Sequence, residues 1–165
     1  MSSPLLCGLP PVVDDGAEVL ILGSFPSAQS LAAGKYYANP RNAFWPIMGE
    51  LFGFDRSAPY DARLAALRSA GVALWDVLRE CRRIDSADST IDPKSLVVND
   101  FDALFDEHPS IARVYFNGAK AAELYRRRVG YRDAAEYRRL PSTSPARAVP
   151  PGAKLAAWRA GLVRS

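Results

Sequence analysis

The sequence predicts an α/β fold, with three layers (α/β/α) around a central four-stranded parallel sheet, in one domain over residues 1–165. Two observations predict it. EVLILG (18–23), VALWDVL (72–78) and ARVYFNG (112–118) are short apolar runs rich in branched or aromatic side chains, as buried strands are. Segments of helical character separate them, and strands alternating with helices specify a parallel sheet covered on both faces.

The first 16 residues hold three prolines and two glycines and read as an irregular lead-in. The strand 18–23 stops at Gly23, and GSFPS turns the chain. A loop runs on through residue 42. AFWPIMGELFG is then a helix, with Asn42 as a plausible N-cap and Gly53 as its stop. Pro46 falls in the first turn, where its missing N–H costs little. Residues 60–71 form an amphipathic helix ending at Gly71, and 72–78 the second strand. SLVVNDFDALFDEHP (95–109) reads as mostly helix, bounded by Pro109. The third strand (112–118), a helix (119–129), a fourth strand EYRRLPS (136–142) and a last helix (150–162) complete the chain.

Composition narrows the function. Hydrophobic residues make up 48% and charged residues 24%, ordinary for a globular protein. No apolar run approaches a transmembrane helix. The N-terminus lacks a basic segment followed by a long apolar stretch, so a cytoplasmic location is expected. Two cysteines (Cys7, Cys81) and one histidine (His108) are too few for a four-cysteine iron–sulfur cluster or a usual structural zinc site. They give no support to His–Cys or Ser–His–Asp catalysis. Residues 1–112 carry 9 Lys/Arg against 15 Asp/Glu, whereas 113–165 carry 12 against 3. The basic stretches YRRRVGYR and EYRR interleave tyrosines, a pattern suited to phosphates and bases.

In open parallel sheets, ligands bind beyond the carboxyl ends of the strands. GSFPS, Asp76, Asn117 and LPSTSPA all fall there. KYYANPRNAFW (35–45) adds flat rings and side-chain amides in a segment without clean periodicity.

GSFPS, then YYANPRNAFW, then LPSTSPA together resemble the uracil-DNA glycosylase superfamily, and within it the hypoxanthine-DNA (deoxyinosine) glycosylase branch, from about residue 8 to the end. The resemblance implies a monofunctional DNA glycosylase of base-excision repair that flips a deaminated base from the duplex. Water then cleaves the bond between base and deoxyribose. It implies double-stranded DNA as partner, a monomer, no metal, no cofactor and no Schiff base.

Gly23 to Ser27 match the loop facing the sugar, with Ser24 and Ser27 against DNA and Phe25 at the base. Many branches have Asp or Asn where Phe25 stands, and phenylalanine cannot orient water. Asn42 is the matching catalytic residue: its carbonyl can aim a water at a sugar carbon that becomes cationic before water adds. It could also cap the helix. Tyr37 matches the ring that stacks on the base, leaving Tyr36, Phe44 and Trp45 for the core. Asp76 could accept the imino N–H of the base, or cap the next segment. Asn117 could read the base edge, or cap the helix near Ala119. In LPSTSPA, which implies minor-groove entry, Ser142 stands where other branches have His or Asn. Ser144 would bond phosphate, Thr143 lies between them, and Arg147 would wedge or pair with a phosphate. The rival readings are a uracil glycosylase acting on G·U mismatches and a non-catalytic lesion-binding protein.

Overall fold

The computed structural model describes residues 4–84, 90–145 and 150–163. Four strands form the parallel sheet: β2 (Val19–Gly23), β3 (Val72–Asp76), β6 (Arg113–Asn117) and β7 (Glu136–Leu140), in the order β3-β2-β6-β7. The three central strands are the apolar runs read above. Their side chains alternate between two cores, as the two-residue period of a strand dictates. Val19, Ile21, Val72, Leu74 and Tyr115 enter one; Leu20, Leu22, Ala73, Trp75, Val114 and Phe116 enter the other.

The first core is closed by α2 (Phe44–Phe52), α3 (Tyr60–Ser69) and α6 (Pro151–Leu162), through Phe44, Trp45, Met48, Leu67 and Trp158. The second is closed by α4 (Phe101–Glu107) and α5 (Ala119–Arg128), through Phe101, Leu104, Phe105, Leu124 and Tyr125. These are the expected three layers.

Four parts of the expectation change. The N-terminal lead-in contains β1 (Leu5–Cys7), which pairs antiparallel with β4 (Leu78–Arg82) in a second, three-stranded sheet. The strand expected over 72–78 therefore breaks after Asp76: Val77 donates to the Gly23 carbonyl (2.8 Å) and Leu78 to that of Ser24 (3.1 Å). The expected helix 95–109 starts only at Phe101, where Asp100 accepts from the Ala103 N–H (3.0 Å), because Val97–Val98 form β5 against β4. The loop after GSFPS contains α1 (Ala28–Ala33), capped by Ser27 accepting from the Ser30 N–H (3.1 Å) and ended by Gly34 at φ 66°.

The basic stretch also moves. α5 starts beside the end of β6, and β7 begins opposite Arg113, at the start of β6. Arg126, Arg127 and Arg128, on the last turn of α5, thus lie toward the amino ends of the strands, away from the rim where LPSTSPA emerges. For these three arginines proximity in sequence to the motif is not proximity in space, whereas Arg139 on β7 adjoins Leu140 at the rim.

Candidate active site

The connections from β2 and β6 leave toward opposite edges of the sheet, because β3 lies on one side of β2 and β6 on the other. Such a reversal opens a crevice at the carboxyl ends of the strands. Gly23 pairs with Asp76 across β2 and β3, and Asn117 with Leu140 across β6 and β7. The four expected segments therefore begin on one rim, and the chain must bring the 35–45 segment to it.

It does so through Tyr36 and Tyr37. Tyr36 is buried: its hydroxyl donates to the Pro10 carbonyl (2.7 Å), its N–H to the Tyr60 hydroxyl (2.9 Å), and its carbonyl accepts from the Trp45 indole (3.0 Å). Tyr37 follows at φ 55°, a left-handed conformation that costs a non-glycine residue roughly 1–3 kcal/mol. That reversal sends neighbouring rings to different places. The Tyr37 ring stacks on Phe44, with centroids 4.0 Å apart and planes 18° apart. Its hydroxyl reaches the strand ends, accepting from the Asn117 amide (3.3 Å). Tyr36 thus faces inward and the Tyr37 hydroxyl faces the rim.

Gly23 makes the convergence possible. A methyl group there would lie 2.5 Å from Asp76 Oδ1 and 3.4 Å from the Tyr37 hydroxyl. Asp76 is 5% exposed, and its carbonyl accepts from the Asn99 amide (2.8 Å). Burial, and then the Asp76 carboxylate, push the Tyr37 phenol far above its ordinary range. Tyr36 is raised in the same way and by the same two causes. Both remain neutral hydroxyls wherever the protein works.

Asn42 sits one residue before the position expected for it. Ala43 is the residue flanking α2, and Asn42 Oδ1 accepts from the Phe44 N–H (2.9 Å). This turn fixes the plane of a half-buried amide. An amide oxygen has a second lone pair, which leaves a place for one water.

Asn117 caps nothing: Gly118 flanks α5, without a side-chain cap. Instead its Oδ1 accepts from the Thr143 N–H (2.9 Å) and its Nδ2 donates to Thr143 Oγ1 (2.9 Å) and Tyr37. Both amide hydrogens are used within the protein, so toward a base only one acceptor lone pair is left. The donating half of the expected base reading is not met in this state.

The late loop divides by residue. Thr143, expected against DNA, is fully buried; its carbonyl accepts from the Ala43 N–H (2.9 Å), tying this loop to the residue beside Asn42. Ser142 and Ser144 are half-exposed on either side of it, and Ser142 Oγ accepts from the Ser144 N–H (3.1 Å). Ser142 also packs so closely on Gly118 that a methyl group there would meet its Cβ at 3.0 Å. Arg147 lies outside the described residues.

Phe25 and Ser24 are likewise interior. Phe25 is 7% exposed in the core beneath α4 and α5, with the Arg83 guanidinium 5.2 Å from its ring centre. Its core placement explains why a polar residue is not needed there. Ser24 is buried beside it, and Ser27 is occupied as the α1 cap.

Two residues on α6 were not read as part of the site. Trp158 Nε1 donates to the Pro141 carbonyl (2.9 Å), and the buried Lys154 ammonium to the Ser144 carbonyl (3.1 Å). Their four-residue spacing puts both on one helix face, a signal present in the sequence. Among the described residues, no cluster of three or more His, Cys, Asp or Glu is arranged to hold a metal, and no helix is long and apolar enough to cross a membrane.

The carboxyl ends of the parallel sheet thus gather a carboxylate, an amide, a phenol and a serine loop. The chain belongs to the uracil DNA glycosylase superfamily, whose family model matches residues 10–160. It is similar to the hypoxanthine DNA glycosylase of Methanosarcina barkeri, 40% identical over 117 residues, 70% of this chain and 73% of the relative. The hypoxanthine DNA glycosylase of Methanosarcina acetivorans is 38% identical over 142 residues, covering 84% and 86%. A solution NMR structure from M. acetivorans, of a protein named there as a candidate uracil DNA glycosylase, superposes with a TM-score of 0.73. It is 37% identical and covers 87% of each chain.

Proposed function

We propose that this protein is a monofunctional DNA glycosylase that removes hypoxanthine from deoxyinosine in double-stranded DNA. The observation that carries the reading is the Asn42 amide, fixed by the Phe44 N–H on a rim that also gathers Tyr37, Asp76 and Asn117. The names of the two curated relatives support the choice of base.

The target nucleotide leaves the stack because its sugar carbon is hidden within the duplex. Its base lies on the Tyr37 ring, whose other face is backed by Phe44. The Asp76 carboxylate accepts the imino N–H of hypoxanthine. The bond from base to sugar breaks with its electron pair going to the base, leaving a cationic sugar. A water held by Asn42 Oδ1 adds to that carbon, and the proton it loses passes to the departed base, leaving free hypoxanthine and an abasic site. A neutral amide suffices because the water attacks a cation, so orientation rather than strong basicity is required. Uracil presents the same imino N–H beside a carbonyl and is a second, slower substrate. The protein acts as a monomer in the cytoplasm and without a metal.

A chelator-treated assay tests this. Duplexes with one deoxyinosine, deoxyuridine or deoxyxanthosine are incubated with the protein and cleaved with alkali at abasic sites. Strand cleavage fastest at deoxyinosine is expected. Cleavage chiefly at deoxyuridine would make it a uracil enzyme, and none at any of them would overturn the glycosylase reading.

A further inference from the structure

We infer that Lys154 is a positioning residue for DNA: a buried ammonium on α6 that holds the Ser144 half of the late loop in the shape that receives a phosphodiester. This deepens the proposed function and rests on it.

Lys154 is 5% exposed, an uncommon state for a lysine, since burying an ammonium is costly unless hydrogen bonds compensate it. Its Nζ donates to the Ser144 carbonyl (3.1 Å). A solvent-facing lysine would avoid that cost; buried here, the ammonium gives one of its donors to the loop's own backbone. The two halves of the loop are held differently. Thr143 is tied to Asn117 and to Ala43, beside Asn42. Ser144 is tied to α6 through Lys154, and back to Ser142 through its own N–H. Ser142 and Ser144 are the half-exposed residues here, with Thr143 inward between them. Lys154 thus governs the side of the loop that meets the DNA backbone, while the Thr143 ties govern the side that meets Asn42. Neutral hydroxyl donors on a short loop are common phosphate partners, and they position a duplex without reading its sequence.

The division predicts a split between affinity and rate. Lys154→Met and Lys154→Gln are compared with wild type on a duplex carrying a non-hydrolysable 2′-fluoro-deoxyinosine, for Kd, and on a deoxyinosine duplex, for the single-turnover rate at saturating protein. Melting temperatures accompany both. Lys154→Met raises Kd at least tenfold while the saturated rate falls less than threefold. Lys154→Gln, which keeps a donor without the charge, lies between it and wild type. A folded variant with wild-type Kd overturns the inference. So does a rate loss equal to or larger than the affinity loss, which would place Lys154 in general support of the fold. If Lys154→Met does not fold, Lys154→Gln alone decides on the same terms. Wild type that neither binds nor cuts would instead refute the proposed function.

Discussion

At Gly23 the side chain is a single hydrogen atom. The Asp76 carboxylate and the Tyr37 hydroxyl occupy the space a side chain would take. Gly23→Ala forces the carboxylate aside, and overpacking of this kind costs about 1–3 kcal/mol. We expect base release to fall at least tenfold, with a modest loss of thermal stability. Wild-type rates for Gly23→Ala would show that Asp76 and Tyr37 are not held where described. Tyr37 was legible from the order of its motif, but its left-handed backbone was not, because the ties that impose it come from Pro10, Tyr60 and Trp45 through Tyr36. Thr143 was misread for a related reason. Ser-Thr-Ser looks uniformly polar, and only the tertiary position of Asn117 shows that the middle hydroxyl turns inward.

At the scale of elements, the late loop and the segment before α2 are held together, since Thr143 joins Asn117 to Ala43. Thr143→Val keeps the shape but removes the hydroxyl that takes one Asn117 hydrogen, and an unsatisfied buried donor costs about 1–3 kcal/mol. The expected result is slower base release at saturating protein with little change in DNA affinity, measured by single-turnover kinetics and by titration of an uncleavable duplex. This is the reverse of the pattern for Lys154. Elements whose own sequence carried their burial were legible: β2, β3 and β6 are apolar runs, and α2 ends at a glycine with φ 74°. Elements made by pairing were not. LRECR becomes β4 only because Leu5–Cys7 and Val97–Val98 flank it, and small residues in α1 give no periodic signal.

For the molecule as a whole, charge and ionisation make two further predictions. Arg126, Arg127 and Arg128 lie toward the amino ends of strands five residues long. At about 3.3 Å per residue that is roughly 15 Å from the rim, beyond a Debye length of about 8 Å at physiological salt. Replacing all three with glutamine should change cleavage of a short deoxyinosine duplex less than threefold; a larger loss would bring this face into the DNA contact. Tyr36, Tyr37, Tyr60 and Tyr125 are all raised above the ordinary value of 10.0, chiefly by burial. Each binds its proton more tightly folded than unfolded. Their stabilisation is complete below about pH 10 and is lost as pH rises above it, because the unfolded chain then releases protons the folded one retains. The melting temperature should be flat in this respect up to pH 9 and then fall, and Tyr36→Phe should make the fall shallower.

The most direct measurement is single-turnover base release from a deoxyinosine duplex by wild type and by Asn42→Ala, with DNA affinity followed in parallel. If the amide aims the attacking water, the variant still binds the damaged duplex and loses at least a hundredfold in rate. Release by Asn42→Ala at a rate near wild type would contradict the role given to this residue, and with it the mechanism drawn from the geometry of the rim.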